Sequence, residues 1–423
     1  MTPKPSRETV PDRVLSLAVR AQQDTDRGQP AGPLSDASQT DRQLLAVLYA
    51  LYRHRAVIDW SLSQVCDLRR THPRVLQGLR VALCQHLYQQ GIAKQLAADA
   101  CVRYVKRVRN RTEANFVNAV LRRLFSRQPG EIIAQANCEG PPYVQLELSP
   151  QLYRQWSMHI DSTTLSRLSG ILLRPAPIMV RRTLGEEAPS PTVPPGCTAV
   201  SAPPWFGHVQ LYRCDTPAVF FRSEALSSGT WHIQDPSTFL APALLAPRPG
   251  ERIADLCCAP GGKAILLSEM VSASTRILCS DRSASRLAHL MPGAERNNLL
   301  CCVADATTPP FPRQLFDAVL VDVPCTNTGV IRRRPDVRWT FSRKKMQELV
   351  DIQFRILQSA AACIRPGGRL VYSTCSIEPE ENEEQVRRFL EANSCFVLAQ
   401  EQQLVPEETH DGAYAALLHR QTR

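Results

Sequence analysis

The chain has 423 residues, with 50 Lys and Arg against 40 Asp and Glu, a formal charge of +10. That length predicts two or three domains rather than one, and neither a charged-then-apolar leader nor an apolar run of membrane-spanning length is visible. The 15 cysteines contain no Cys-x-x-Cys pair, so metal-ligand spacing is absent, and without a secretory leader they read as reduced thiols in a cytoplasmic protein.

In chain order, a first helix is predicted over Arg13 to Gln22, followed by a polar stretch rich in Pro, Gly and Ser up to residue 40. Leu44, Leu45, Leu48, Leu51 and Tyr52 then recur at helical spacing, as do the apolar residues of Leu76–Tyr88, Ile92–Val105 and Phe116–Phe125. An all-helical bundle ending near residue 130 follows from this periodicity. The charge is concentrated here: residues 1–140 hold 21 Lys and Arg against 12 Asp and Glu, whereas the remaining 283 are nearly balanced, with 29 against 28. A basic surface of this kind attracts phosphate, and the run Arg103, Lys106, Arg107 and Arg109 is its densest part. The alternative is a solvated helical face without a partner.

Residues 145–235 mix short apolar pieces with Pro, and the Pro-rich stretch Thr183–Pro204 reads as a surface loop. From about residue 236, strand-like and helix-like runs alternate, which predicts a doubly wound α/β sheet. A short strand near Arg252–Ala254 leads into Asp255-Leu256-Cys257-Cys258-Ala259-Pro260-Gly261-Gly262-Lys263, and an apolar helix follows. Strand, glycine turn and helix together bring backbone N–H groups close to a bound ligand. The turn is neither of the dinucleotide nor of the nucleoside-triphosphate type. Asp281 ends the next strand, where ribose hydroxyls bind in such folds, and Asp305 ends the third.

Two cysteines follow two further strand-like runs. Cys325 lies in Asp322-Val323-Pro324-Cys325-Thr326 and Cys375 in Tyr372-Ser373-Thr374-Cys375-Ser376. In a parallel sheet both sulfurs would hang over the carboxyl edge, the ligand-binding rim, an arrangement suited to covalent chemistry on an electrophile. A second basic cluster, including Arg332, Arg333, Arg334 and Arg338, lies just beyond Cys325, and could hold an RNA backbone while a base is presented. Within it, Trp339 is a candidate to stack on a base and Phe341 reads as core. Taken singly, each of these residues is more often structural than catalytic; their joint placement on one rim favours function.

Asp255 to Asn382, with the glycine turn, the Pro-Cys and Thr-Cys-Ser loops and Pro379-Glu380-Glu381-Asn382, resembles the RNA cytosine carbon-5 methyltransferases. Phe116-Val117-Asn118-Ala119-Val120-Leu121-Arg122-Arg123, and Gly329-Val330-Ile331-Arg332-Arg333 with Pro335-Asp336, are similar to the bacterial RsmB (Sun or Fmu) type, which modifies 16S ribosomal RNA. The match is dense over the last 190 or so residues and patchy over the first 140 or so. The resemblance implies an all-α NusB-like RNA-binding domain over 1–135 and a small α+β domain over 145–235. A Rossmann-like class I methyltransferase domain, a mostly parallel doubly wound sheet, would occupy 236–423. It implies S-adenosylmethionine bound by Cys257 to Lys263, Asp281, Asp305 and Asp322, with ribosomal RNA as the partner; a monomer is expected because nothing apolar and repetitive suggests a symmetric interface.

Chemistry alone does not decide which cysteine attacks. The family pattern implies Cys375 as nucleophile and Cys325 as the residue that aids product release. Asp322 is placed either to hydrogen-bond the cytosine ring nitrogen or to face the cofactor's methionine end, and Lys263 to serve as base or as cofactor contact. Transfer RNA as substrate, or a non-catalytic RNA-binding role, are the competing readings. The chain departs from the family pattern at Cys258, Ala264, Thr326 and Asn327, of which Asn327 bears most on base or cofactor contacts.

Overall fold

A computed structural model describes residues 9–29, 39–89, 91–184, 193–226, 229–271, 274–295 and 297–422. These residues form two compact units. One contains the chain up to Leu173 and also Arg334–Ser342; the other contains Arg174–Arg333 and Arg343–Arg423.

The first unit is helical among its described residues. Its main helices are Val10–Asp26, Gln39–Ser63, Pro73–Tyr88, Lys94–Val108, Arg111–Phe125 and Pro129–Glu139. Each carries an apolar stripe into one core that includes Val14, Leu48, Leu51, Leu79, Leu83, Val117 and Leu121. Helix starts are encoded locally. Thr9 and Asp12 form a capping box, and the Asn110 side chain accepts from the Glu113 N–H at 2.8 Å. The polar stretch expected after the first helix lies largely outside the described residues.

The stretch expected as a separate intermediate domain, 145–235, is divided between the units. Helices Pro150–Trp156 and Ser162–Leu172 bury Leu152, Trp156, Leu165, Leu168 and Leu172 and belong to the first unit. The rest is an antiparallel sheet of β1 (Ile178–Arg182), β2 (Cys197–Val200), β3 (Leu211–Cys214) and β4 (Trp231–Ile233), ordered β2-β3-β1-β4. Its core continues into the second unit, because Met179, Phe206 and Leu211 pack with Phe239 and Leu266. Arg181, wholly buried, is held by Glu269 at 2.6 Å and by Gln234, so its charge is paired rather than stranded. The Pro-rich stretch Thr183–Pro204 is therefore not all loop: β2 pairs with β3 inside it, while 185–192 lie outside the described residues.

The second unit is built on a seven-stranded sheet of β5 (Ile253–Asp255), β6 (Ile277–Asp281), β7 (Leu299–Val303), β8 (Phe316–Asp322), β9 (Ile364–Thr374), β10 (Phe396–Leu404) and β11 (Ala413–Arg420). The order is β10-β11-β9-β8-β5-β6-β7, parallel from β9 to β7, with β11 antiparallel to β9 and β10 antiparallel to β11. Central strands covered on both faces read as unbroken apolar runs, and Ala318, Val319, Leu320 and Val321 of β8 are all fully buried. This is the expected Rossmann-like methyltransferase sheet after a helical region. Its strand order reverses at β5, between β6 and β8, and the edge at that switch point is where such sheets take ligands.

Candidate active site

Three loops converge at that edge. The first follows β5. Gly261 sits at φ +115°, a conformation that side chains avoid, and a Cβ there would meet Leu290 at 2.5 Å. The turn thus requires glycine before the helix Gly262–Glu269. The Cys258 N–H donates to the Ser280 carbonyl at 3.0 Å and the Ala259 N–H to the Asp281 carboxylate at 3.2 Å, which fastens the turn to the end of β6. Asp281 also accepts from the Ser283 N–H at 2.9 Å. Asp305 is exposed and caps its own turn through Thr307, and these hydrogen bonds hold its carboxyl below the usual carboxylate range.

Asp255 was not among the residues singled out from sequence. It is fully buried beneath the turn, and its Oδ2 has no hydrogen-bond partner. Burial, and then the neighbouring Asp322, push it up to about 7. Its Oδ1 accepts from the Cys257 N–H at 3.4 Å, so one oxygen of a buried carboxyl, beside two other aspartates, is left to meet a cation. S-adenosylmethionine carries a sulfonium and an ammonium, so the residues present fit it: backbone N–H groups at the start of the helix, Asp255, Asp281 and Asp322. Cys257 and Cys258 offer no reactive sulfur. Burial first, then Asp255 and Asp322, hold the Cys257 thiol well above its ordinary value, and Cys258 is packed in the core.

The other two loops carry the paired cysteines. β8 and β9 are adjacent and parallel with Asp322 opposite Ser373, so the chain leaves both strands at the same level. The Cys325 and Cys375 sulfurs are 3.2 Å apart. Cys325 is buried and Cys375 half-buried. The hydrogen bond to Cys375, and then burial, raise the Cys325 thiol well above its ordinary value, so Cys325 keeps its proton at neutral pH. Asn327, at φ 64°, lies between the two. Its Nδ2 donates to the Cys325 carbonyl at 2.9 Å, and the Cys375 thiol reaches its Oδ1 at 3.1 Å. Gly329 has no room for a side chain, since a Cβ would lie 2.8 Å from the Cys375 carbonyl oxygen.

Lys263 donates to Asp322 at 2.6 Å. Burial opposes its charge, but Asp322 and, less strongly, Cys375 more than offset this and hold the ammonium above its ordinary range. The ammonium therefore stays charged at neutral pH. A role for Lys263 as base does not fit this geometry; it is the counter-ion of Asp322 and a positive charge near the Cys375 sulfur.

Beneath the two loops lies a buried polar network that spacing did not reveal. The Thr326 N–H donates to Glu381 at 2.9 Å, and the Thr326 hydroxyl to the other oxygen of the same carboxylate. Gln353 donates from one amide nitrogen to the Pro324 carbonyl and to Glu381, each at 2.9 Å. The Thr374 hydroxyl donates to Asn382 at 2.7 Å, and Asn382 donates to the Ser376 carbonyl at 3.0 Å. The signal in the sequence was the Pro379–Asn382 stretch; Asn382 meets its partners across a turn, but the Glu381 partners Thr326 and Gln353 lie 55 and 28 residues away.

The basic residues chosen for RNA fare unevenly. Arg338 is 1% exposed and donates to the Leu172 carbonyl; burial brings its guanidinium down to about 9. Arg332 is 4% exposed and donates to the carbonyls of Pro175 and Glu407. Neither reaches a surface. Arg333 bridges Asp235 and Asp411, and Arg334 pairs with Asp336. This cluster is structural rather than an RNA cradle, because a basic run in sequence says nothing of the carboxylates and carbonyls that the fold brings to it. Trp339 is also engaged, donating to the Tyr52 carbonyl at 2.7 Å under the Arg55 guanidinium, whereas Phe341 is core as expected. On the helical unit Arg103 pairs with Asp12 and Arg109 with Glu113; Arg107 donates to Ser16, and Lys106 stays exposed. Two arginines not singled out for RNA contact, Arg123 and Arg127, form no ion pair among the described residues. They line a cavity of about 280 Å³ together with Trp60, Gln64 and Gln135.

Among the described residues, no group of three or more His, Cys, Asp or Glu is arranged to hold a metal ion, and no helix is long and apolar enough to cross a membrane.

Known proteins were compared with this arrangement. Residues 242–419 match the family described as 16S rRNA methyltransferase RsmB/F, and residues 4–126 match the NusB family. Ribosomal RNA small subunit methyltransferase B of Erwinia tasmaniensis is 30% identical over 385 residues, covering 86% of this chain and 85% of that protein. The protein of the same name from Escherichia coli O127:H6 is 28% identical over 95% of this chain and 97% of its own. Among solved structures, PH0851 superposes with a TM-score of 0.73 at 21% identity, covering 99% of this chain and 100% of that one. A methyltransferase homolog from Pyrococcus horikoshii gives 0.54 at 22% identity over 66% of this chain and 97% of its own. These two likenesses concern the fold.

Proposed function

The chain belongs to the RsmB/F family of S-adenosylmethionine-dependent methyltransferases, and from that premise we propose that it methylates carbon-5 of a cytosine in 16S ribosomal RNA through a covalent adduct on Cys375. The observation that carries this reading is the pair of rim sulfurs 3.2 Å apart, one held protonated, beside a lysine–aspartate ion pair and above a cation-ready carboxylate.

Cytosine carbon-5 is a poor nucleophile, and adding a thiolate to carbon-6 turns the ring into an enamine that reacts at carbon-5. Only the thiolate attacks. In this reading the protonated Cys325, 3.2 Å away, donates to the Cys375 sulfur, and the Lys263 ammonium lies near it; a donor and a positive charge suit Cys375 as the attacking sulfur. Asp322, already paired with Lys263, also accepts in this reading a hydrogen bond from the protonated ring nitrogen. Bound in the glycine turn, S-adenosylmethionine supplies the methyl group as an electrophile. After transfer the carbon-5 proton must leave and the carbon-6–sulfur bond must break. Once Cys375 is a thioether it no longer accepts a hydrogen bond of the same strength, so the largest influence raising the Cys325 thiol is gone. Cys325 can then release its own proton to solvent and, as a thiolate, take the carbon-5 proton while the carbon-6–sulfur bond breaks and Cys375 leaves as a thiolate. A positioned general base of this kind contributes about 10²–10⁴-fold.

For RNA contact, Arg123 and Arg127 supply guanidiniums without an ion pair among the described residues, Lys106 an exposed ammonium, and Trp60 a half-buried side chain lining the same cavity as the two arginines. All 15 cysteines are free, which suits a reducing cytoplasm, and the enzyme is taken to act as a monomer.

The test uses labelled S-adenosylmethionine with protein-depleted small-subunit RNA and with transfer RNA, followed by nucleoside analysis. Label in 5-methylcytidine of the small-subunit RNA, absent from Cys375→Ala, is the expected result. Label confined to transfer RNA, or found in another nucleoside, overturns the assignment.

A further inference from the structure

The two cysteine loops are each bracketed by one of two consecutive residues. Around Cys325, the Thr326 N–H and hydroxyl both bind the Glu381 carboxylate, and the preceding Pro324 carbonyl is reached through Gln353, which also donates to Glu381. Around Cys375, the preceding Thr374 hydroxyl donates to Asn382 Oδ1, while Asn382 Nδ2 donates to the following Ser376 carbonyl. Glu381 and Asn382 are both completely buried. They end a single short turn, Pro379–Glu381, which is itself anchored where the Tyr372 hydroxyl donates to the Glu381 carbonyl at 2.7 Å. One turn thus reaches both loops, gripping one with its last residue and the other with the next.

Neither side chain touches either sulfur, so neither is a catalytic residue in this geometry. Each fixes the backbone on the flanks of one cysteine, and two sulfurs that must act in sequence at one carbon–carbon bond need positions good to a fraction of an ångström. Building on the covalent reading above, we infer that Glu381 and Asn382 are positioning residues with separate duties: Asn382 holds Cys375 for attack, and Glu381 holds Cys325 for release. The division follows from which loop each grips. The loops are also joined directly: the Ser376 hydroxyl contacts the Thr326 and Thr328 hydroxyls at 3.2 and 3.1 Å, the Cys375 thiol reaches Asn327 at 3.1 Å, the Gly329 N–H donates to the Cys375 carbonyl at 3.0 Å, and Ser376 also hydrogen-bonds Glu381. Within that shared frame the backbone of the Cys325 loop is held by Glu381 and Gln353, and that of the Cys375 loop by Asn382. A purely structural turn would instead disturb both sulfurs together when either side chain is changed.

The experiment separates the first covalent and methyl-transfer events from turnover in the full-length protein, with small-subunit RNA and tritiated S-adenosylmethionine. Single-turnover methyl transfer, steady-state rate and the amount of RNA–protein adduct surviving denaturation are read for each variant. Glu381→Ala is expected to transfer its first methyl group within about threefold of wild type, to lose tenfold or more in turnover and to accumulate adduct. Asn382→Ala is expected to lose tenfold or more in single-turnover transfer and to accumulate none. Thr326→Val and Thr374→Val, which delete only the hydroxyl that meets each bracket, should show the same split at smaller amplitude and keep the result readable should an alanine variant fold poorly. Adding Glu381→Ala to Cys325→Ala, or Asn382→Ala to Cys375→Ala, should change nothing further.

The inference is overturned if Glu381 and Asn382 variants impair the same step to the same degree, or if Glu381→Ala leaves no adduct while Cys325→Ala does. If Cys325→Ala itself traps no adduct on an RNA that the wild type methylates, the covalent reading falls first, and the inference falls with it.

Discussion

The methyl-transfer rim and the helical unit use polar side chains in opposite ways. At the rim, charged and polar groups are buried, and nearly all are matched: Glu381, Asn382, Gln353 and Thr374 satisfy one another around two sulfurs, and the conspicuous unmatched atom is the Asp255 oxygen. On the helical unit most arginines of the densest basic run are paired on the surface, while Arg123 and Arg127 form no ion pair among the described residues. The lesson is that a fixed geometry is read from hydrogen bonds already made, whereas a phosphate-binding surface is read from charges the fold leaves uncommitted. Surface ion pairs contribute only about 0–1 kcal/mol to stability, so the paired arginines are weak anchors for the fold and, being neutralised, weak attractants for RNA.

The contrast is broken most forcefully at the sulfurs. Cys375→Ala should lower methyl transfer by at least about 10³-fold, because it removes the proposed nucleophile and leaves only the buried Cys325 thiol, held protonated; a single-turnover assay checks this, and a residual rate within tenfold of wild type contradicts it. Next is the cofactor carboxylate. In the folded chain Asp255 titrates near 7, against 3.8 for an ordinary aspartate, so below pH 7 it is neutral and above it is a partner for a cation. S-adenosylmethionine affinity should therefore rise about tenfold from pH 6 to pH 8, the change in the ionised fraction of one such group. The cofactor-free protein should behave in the opposite sense. Its raised carboxyl favours the folded state below the unfolded value, and that contribution is lost as pH rises from about 4 to about 7. Asp255→Asn should flatten both profiles in calorimetric titration and thermal melting.

Smaller effects belong to the surface. Arg123→Glu with Arg127→Glu should raise the KM for RNA several-fold with kcat little changed, and should reduce the slope of log affinity against log salt by about 0.7 per lost phosphate contact. The smallest effect sharpens the comparison from the other side. Arg338 is buried in the helical unit with Nε and Nη1 unpartnered and its guanidinium drawn down to about 9. Arg338→Met should leave RNA affinity within twofold and keep or raise stability, by up to about 4 kcal/mol as in other exchanges of buried charge for apolar volume. Denaturant titration beside RNA binding reads both numbers.

Much of this architecture could be read from the chain. The glycine turn, the strand-ending aspartates and the two cysteine loops are local motifs on a topology that alternates strand and helix, and a parallel sheet has little choice about which edge they share. Helical periodicity gave the first bundle because its stripes are regular. What escaped depends on contacts far apart in sequence. Asn382 meets Thr374 across a turn, but Glu381 meets Thr326 from 55 residues away, and Asp255 becomes special only because its neighbours desolvate it. The arginines after Cys325 misled for the same reason: Arg333 finds Asp235 and Asp411, and Arg338 finds the Leu172 carbonyl, none of which is near them in the chain. The strand Cys197–Val200 was hidden by the prolines around it, and it exists because β3 supplies its hydrogen-bonding edge.

The central claim, that Cys375 attacks and Cys325 releases, is tested most directly by trapping. Cys325→Ala is incubated with S-adenosylmethionine and small-subunit RNA, denatured, digested with protease and nuclease, and the peptide bearing a nucleotide is identified by mass spectrometry. A methylated cytosine nucleotide on the peptide containing Cys375 is the predicted result. A nucleotide on the Cys325 peptide of the reciprocal Cys375→Ala variant, with none trapped by Cys325→Ala, would reverse the two roles and contradict the account.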